Sequence, residues 1–320
     1  MKKIVRSSSF LLALLMVFSV FAGAAYPTGG YADQSQISSL TIPSVQLMGE
    51  LNIMYGSTKI VNGVTGTYFS PTQTLTRAQI ARIIYTLETG KDSADLYKDA
   101  VHNPFNDVPS NHWALGFINY CYIQGYLSGK SATRFDPDGK LKLSESMTTL
   151  LAFMGYEKED LAKNWPSNVV VYGVSKGLFE NGVEENVAVG AALQRQWCSV
   201  VIANALQCTL VEKNTNGTYR NTTTTVMQAA FPGFNEKTGV VAANDRIAIS
   251  GSPAAEGNIR LADGTVLPYA ADNSLVGKEV DVKYSVKGSV TTVLSVSLRP
   301  GFVSYSTTAG GVTFTADGKI

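Results

Sequence analysis

One unit recurs along this chain at a fixed spacing, and that periodicity limits the fold more than any other feature. Residues 105–156 and 164–206 align at a constant shift of 52, which pairs Trp113 with Trp165, Gly125 with Gly177, Phe135 with Val187 and Leu143 with Arg195. A further copy lies upstream. Phe69 precedes Arg77 by 8 residues, as Phe135 precedes Leu143 and Val187 precedes Arg195. Its first half is 39–57, followed by an insertion from Lys59 to Thr67. Each unit reads as helix, loop, helix. Ala114, Phe117, Ile118 and Cys121 recur at i, i+3, i+4 and i+7, one buried helix face, and Gly125 and Gly129 then permit turns. The second helices offer matching apolar positions: Ile84, Leu150 and Ile202, then Leu87, Phe153 and Ala205. One helix pair has too little apolar surface to stand alone, so the copies are expected to pack together around a pseudo-threefold axis.

The stretch from Phe69 to Leu87 carries the most informative local chemistry. Thr76-Arg77-Ala78-Gln79 fits a capping box, in which Thr76 accepts from the Gln79 amide and Gln79 reaches back to Thr76. The box does not explain Arg77. A cation in the first helical turn opposes the helix dipole, at a cost of up to about 1 kcal/mol. Two roles fit it. One is an anion site, with the guanidinium fork and free helix-terminal amides meeting a carboxylate; the other is a structural salt bridge. The copies differ here. The second unit has Lys142-Leu143-Ser144-Glu145, without the arginine, and the third has Gln194-Arg195-Gln196-Trp197, with the arginine but without the box.

Taken in order, these residues resemble the S-layer homology domain. The resemblance rests on Phe105-Asn106-Asp107-Val108, Trp113-Ala114, Gly125 with Gly129, Phe135-Asp136-Pro137, and in the first unit Phe69-Ser70-Pro71 with Thr76-Arg77-Ala78-Gln79. It covers more than half the chain, as three units at 36–92, 100–160 and 161–212. The third departs most, since Val187-Ala188-Val189 replaces the F-x-P motif. The resemblance implies non-covalent anchoring: binding of a secondary cell wall polymer attached to peptidoglycan, often through a pyruvylated, anionic sugar, in grooves between units. It implies that the arginine of the T-R-A-E motif contacts ligand. Arg77 is then the first candidate and Arg195 the second, with at most two good grooves. Thr76 and Gln79 accompany Arg77. Asp107 either caps the following helix or orients an arginine. Trp113 either stacks on a sugar face, whose C–H bonds suit an aromatic ring, or belongs to the core. Gly56 with Ser57, and Gly129 with Ser131, either let a sugar approach the backbone or serve the turn alone.

Residues 1–32 read as a secretory signal peptide. Lys2, Lys3 and Arg6 precede a short apolar run from Phe10 to Phe21, and small residues at Ala22 to Ala25 or Gly30 to Ala32 offer cleavage positions. The run is short for a membrane span. Formal net charge is +1, or about −2 once the three leader cations are gone, which argues against nucleic acid as a bulk partner. Three cysteines, Cys121, Cys198 and Cys208, make a poor disulfide framework. They read as small buried residues, with one bridge plus a free thiol as the alternative. The two histidines, His102 and His112, lack metal-ligand company. No catalytic apparatus or cofactor is expected.

Past Asn214 the composition changes. Residues 213–238 read as a linker, and 239–300 as a small all-β barrel or sandwich, loosely similar to an OB fold. Its expected strands lie at Ile247–Ile249, Ile259–Leu261, Val280–Tyr284 and Val290–Leu298, with a hairpin at Ala262-Asp263-Gly264. Residues 301–320 start a further β segment, as in a longer chain. The fold class expected is a mainly α trio of helix-loop-helix units followed by this β domain. The function expected is anchoring at the cell surface without chemistry. Two alternatives remain: an anchored enzyme whose catalytic domain lies past Ile320, and a structural surface-layer subunit whose β module self-associates.

Overall fold

The computed structural model describes residues 30–61, 63–98, 103–299, 306–308 and 311–313. The signal-peptide reading and His102 lie, apart from Gly30 to Ala32, outside the described residues. Those last residues are part of the fold. Tyr31 is buried, its ring 5.3 Å from that of Phe69, and the Ala32 amide donates to Thr67 O. The first unit therefore begins earlier than residue 36.

The first unit holds α1 (Ile42–Glu50), a hairpin of β1 (Ser57–Val61) and β2 (Val64–Tyr68), and α2 (Arg77–Thr89). The hairpin contains the Lys59–Thr67 insertion. The second unit holds α3 (Leu115–Gln124) and α4 (Leu143–Met154). The third holds α5 (Lys158–Ala162), α6 (Ser167–Ser175), α7 (Val183–Asn186) and α8 (Arg195–Gln207). The capping box at Thr76 and Gln79 forms as the sequence predicts, and α2 ends on Gly90 at φ 65°, a left-handed position that suits glycine.

The three second helices are arranged cyclically. Leu75 N donates to Leu193 O at 3.0 Å, Leu141 N to Leu75 O at 2.8 Å, and Leu193 N to Leu141 O at 2.8 Å. All three leucine side chains are fully buried. The three leucine backbones thus close a ring. Around it Ile84, Leu150, Ile202, Leu87 and Ala205 are buried, while Phe153 is half-buried against Tyr126. The first two amides of each second helix donate to the loop of the next unit: Arg77 and Ala78 to Gly139 O and Pro137 O, Leu143 and Ser144 to Ala191 O and Val189 O, Arg195 and Gln196 to Gln73 O and Pro71 O. Helix N-termini leave such amides without intrahelical partners; here the neighbouring unit supplies the acceptors.

The architecture is mixed helix and sheet rather than mainly α. Residues 213–238 are not a linker. β3 (Thr209–Lys213) and β4 (Tyr219–Thr225) form a hairpin, α9 (Val226–Ala230) follows, and β5 (Phe234–Ala243) has begun by residue 234. The polar Thr-rich run is a strand with mostly exposed residues, and Val226, Met227, Ala230 and Phe231 are buried in the helical core. The remaining strands are β6 (Ile259–Leu261), β7 (Val266–Leu267), β8 (Glu279–Lys287), β9 (Val290–Leu298) and a separate pair, β10 (Ser306–Thr308) with β11 (Gly311–Thr313).

The main sheet is antiparallel with order β7-β6-β5-β8-β9, an open sheet in which β7 and β9 are not paired with each other. It has its own core of Val241, Ile259, Leu261, Leu267, Val280 and Val282. Three expected strands and the hairpin are present. Ile247–Ile249 forms only an isolated bridge at Ala248, because the Asn244 side chain organises that segment as a turn, accepting from the Arg246 and Ile247 amides. The sheet meets the helices at Glu50 of α1. Its buried carboxylate accepts from Ser295 at 3.2 Å and pairs with Lys283 at 3.4 Å. The cysteines are all free; Cys121 and Cys198 are fully buried and Cys208 is half-buried.

Candidate functional site: the seams between units

Each second helix docks on the loop of another unit, and this places both arginines at seams. Arg77 of the first unit lies over the Phe135 ring of the second, its Cζ 4.6 Å from the centroid. Its Nε donates to Phe135 O at 2.8 Å, Nη2 to Ser128 O at 2.6 Å, and Nη1 meets Glu145 Oε1 at 3.4 Å. Arg195 of the third unit repeats this on the first. Its Cζ lies 4.8 Å over Phe69, Nε donates to Phe69 O at 2.8 Å and Nη2 to Tyr55 O at 3.0 Å. At the remaining seam Leu143 stands where an arginine would, and its side chain is fully buried.

The turn beneath each guanidinium is clamped by its own unit. Asp107 accepts from the amides of Phe135 at 2.8 Å and Asp136 at 2.7 Å. Asp33 does the same for Phe69 and Ser70, at 2.8 and 2.7 Å. Asp107 therefore does not cap α3, whose cap residue is Ala114. It fixes the carbonyl that Arg77 uses. Burial raises its carboxyl, but the two amides outweigh this and hold it below the usual range.

Gly129 and Gly56 are close-approach positions. A Cβ on Gly129 would fall 2.4 Å from Ser131 O and 2.5 Å from the Phe105 ring, and one on Gly56 would fall 2.7 Å from the Tyr31 ring. Their smallness is filled from inside the unit. Ser57 begins β1, and the Ser131 hydroxyl accepts from the Thr133 amide. The helix-terminal amides expected to accompany Arg77 toward a ligand are also taken: Arg77 N and Ala78 N by the Gly139 and Pro137 carbonyls, and Gln79 N by Thr76 Oγ1.

Beside Arg77 a groove of about 160 Å³ opens along the second and third units, where Lys130, Glu145, Thr148, Lys158 and Trp165 join it. Glu145 bonds three ways. Oε2 accepts from Lys142 N at 2.9 Å, half of a capping box, and Oε1 meets both Arg77 and Lys130. Burial raises its carboxyl, while Lys130, the Lys142 amide and Arg77 together hold it below the usual range. Trp165 is 46% exposed, and its indole N–H donates to Thr148 at 3.1 Å. Trp113, its counterpart in the repeat, is 49% exposed and stacks on His112 at 5.9 Å; it is a surface residue that also touches Phe117.

Among the expected residues, Arg77 and Gly129 line this groove. Arg195 belongs to the seam at Tyr55 and Phe69, together with Gly56. Sequence reasoning missed Lys130, Glu145, Lys158 and Trp165. The Trp113–Trp165 alignment was the available signal for the indole, and the third helical position, Glu145 against Gln79, was the signal for the carboxylate.

The sequence model of the S-layer homology domain matches residues 31–81 and 104–145. The chain is 29% identical over 153 residues, 48% of its length and 19% of the relative's, to a cell surface protein of Thermoanaerobacter kivui. It is 24% identical over 222 residues, 68% of its length and 18% of the relative's, to a surface layer protein of Brevibacillus choshinensis. It is 23% identical over 159 residues, 46% of its length and 35% of the relative's, to a cellulosome-anchoring protein of Acetivibrio thermocellus. The chain thus spans under a fifth of the first two. Residues 31–81 and 104–145 are thus similar to the S-layer homology domain, and the relatives are cell-surface and surface-layer proteins, which places the chain in the secreted cell wall and surface compartment. Among the described residues, no helix is long and apolar enough to cross a membrane.

Proposed function

We propose that the helical trio anchors the chain by binding an acidic secondary cell wall polysaccharide attached to peptidoglycan in the seams between units, without chemistry. The observation that carries this is the groove beside Arg77, where Lys130 and Lys158 stand next to a half-exposed indole. Cations beside an aromatic face suit an anionic sugar: the charges meet its acidic group and the ring packs on its C–H face. The name of the Acetivibrio relative supports the anchoring sense. In this reading residues 161–212 are a third, diverged copy, supported by the closed leucine ring, and the leader read at 1–32 carries the export signal, with cleavage at the earlier small-residue position, Ala22 to Ala25.

The test is co-sedimentation of the purified chain with cell wall sacculi that retain the secondary polymer or have been stripped of it. Binding that disappears on stripping is expected. Binding that survives stripping would replace the polymer with peptidoglycan itself and overturn the proposal. The readings in which the chain is part of an anchored enzyme or a self-assembling layer subunit concern what the anchor carries, and both share this test.

A further inference from the structure

A second crevice, of about 430 Å³ against about 160 Å³ for the groove beside Arg77, lies where the helices meet the sheet. Its walls come from α1, the last residue of α8, α9, and the strands β5 and β8. Small-molecule sites favour such junctions, and this volume falls within their usual range. Leu47, Met227 and the half-buried Phe234 give the crevice an apolar side, and Gln207, Gln228, Glu236 and Lys283 give it a polar one. The fold does not use up these polar groups. Among the described residues the Gln207 side chain bonds no protein group, and Gln228 commits its oxygen to Thr225 N at 2.9 Å but leaves its N–H2 group uncommitted. The Glu236 carboxylate has one partner, Lys283 at 3.5 Å, and Lys283 reaches Glu50 at 3.4 Å. Both contacts are longer than the roughly 2.7–2.9 Å of a tight charge-assisted bond, so the ammonium can share its hydrogens with a further acceptor.

We infer that this crevice is a binding site for a neutral sugar. Charge decides against an acidic one. Lys283 stands between two carboxylates, the buried Glu50 and the exposed Glu236, so an entering anion would meet more negative charge than positive. The groove beside Arg77 has the opposite balance, with Arg77, Lys130 and Lys158 against Glu145. A bare cation gains little, because both carboxylates already share Lys283. Sugar hydroxyls suit what remains. Each is a donor and an acceptor, and the two amides, the Glu236 carboxylate and the Lys283 ammonium supply both complements. The C–H face of a pyranose suits the apolar side, where Phe234 offers an aromatic ring. The inference goes beyond the anchoring reading and does not rest on it, since it uses none of the groups beside Arg77.

The experiment uses the full chain with soluble probes: maltotriose, the N-acetylglucosamine trisaccharide and trigalacturonic acid. The first two are neutral and separate a plain hexose from an acetamido sugar; the third is the acidic control. Binding is read by calorimetry and by NMR, with the Met227 methyl signal reporting on this crevice and the Trp165 indole N–H signal on the groove beside Arg77. At least one neutral probe should shift Met227 and leave Trp165 in place, while the acid leaves Met227 unmoved. Gln207 is exposed, so exchanges there do not burden the fold. Gln207→Ala should weaken the neutral probe about tenfold, the scale of a hydrogen bond lost with its partner left unpaired, and Gln207→Trp should abolish binding by filling the opening. Glu236→Gln removes a negative charge and should raise the affinity of the acid at Met227 above that of the parent protein. Neutral probes that leave Met227 unmoved at millimolar concentration, that shift Trp165 instead, or that still bind Gln207→Trp overturn the inference, as does an acid that shifts Met227 in the parent as strongly as they do. None of these outcomes bears on the anchoring proposal, whose sacculus test depends on the other groove, and a chain that fails on sacculi leaves this inference to the soluble probes.

Discussion

The Arg77 and Arg195 seams share one geometry, with a guanidinium over a phenylalanine ring and Nε on that residue's carbonyl, yet they differ in what completes the charge. Arg77 is closed by Glu145, a residue of the unit on which it docks. Arg195 is closed only by backbone carbonyls. Burial lowers the pKa of both guanidinia, so each depends on its acceptors to stay in place. The difference teaches that a repeat can keep a docking device in two copies while completing one with a side-chain carboxylate and the other with backbone carbonyls alone.

The largest effect should come from cutting each fastener. Arg77→Ala removes one partner of a buried ion pair and leaves Glu145 with Lys130 and the Lys142 amide, which should cost about 3–5 kcal/mol. Arg195→Ala strands no carboxylate and should cost about 1–3 kcal/mol, the scale of lost hydrogen bonds to a charged group. Urea unfolding of the two variants measures both, and equal losses would break the comparison.

The turns beneath the arginines come next. Gly129→Ala forces a Cβ against two backbone oxygens, Ser131 O at 2.4 Å and Arg134 O at 2.7 Å, and should cost about 1–3 kcal/mol. Gly56→Ala meets one backbone oxygen at 2.8 Å and otherwise side-chain atoms that can shift, so its loss should be smaller. The reverse order in thermal melts would show that the first unit is the stiffer one.

Acid should separate the seams further. The Glu145 carboxyl is held below the ordinary glutamate value of 4.5, so its contribution is full above that pH and is lost as pH falls through the lower folded value. Glu145→Gln should flatten the acid limb of the stability profile. Glu88 runs the other way. Burial raises its carboxyl although Tyr126 donates to it at 2.9 Å, so the ionised form burdens the fold above the raised value and the burden lifts as pH drops. Glu88→Gln should therefore gain on the parent most at pH 8, with the gap closing on acidification. The smallest stability effects belong to the half-exposed indoles. Trp113→Ala should cost under about 1 kcal/mol, and Trp165→Ala somewhat more because it also releases Thr148. Both are read by melting, beside any change in sacculus binding.

Much of the helical part was legible because its signals are local or periodic. The capping box at Thr76, the buried stripe of α2 and the matched core positions in the three second helices all follow from spacing. The site was legible only in part. Spacing located Arg77 and Arg195, but nothing local to Arg195 reveals that its carbonyl acceptors lie 126 and 140 residues away. Asp33 was hidden because the sequence reading ran the leader to residue 32 and started the unit at 36. Its equivalence to Asp107 emerges only when both are seen holding two loop amides. The linker reading failed for a related reason. A Thr-rich strand and a five-residue helix carry weak local signals, and Val226, Met227 and Phe231 show their purpose only against the helical core.

What the sequence determined by itself was the recurring spacing, the cap that starts α2 and the residues able to carry charge at the turns, since each is encoded within a short stretch of chain. The tertiary structure decided which unit docks on which, that the helix-terminal amides are consumed by neighbouring carbonyls, and that one arginine meets a carboxylate while the other does not. Those outcomes depend on contacts between distant units, and a hydrogen bond or ion pair exists only where folding brings its two halves within a few ångströms.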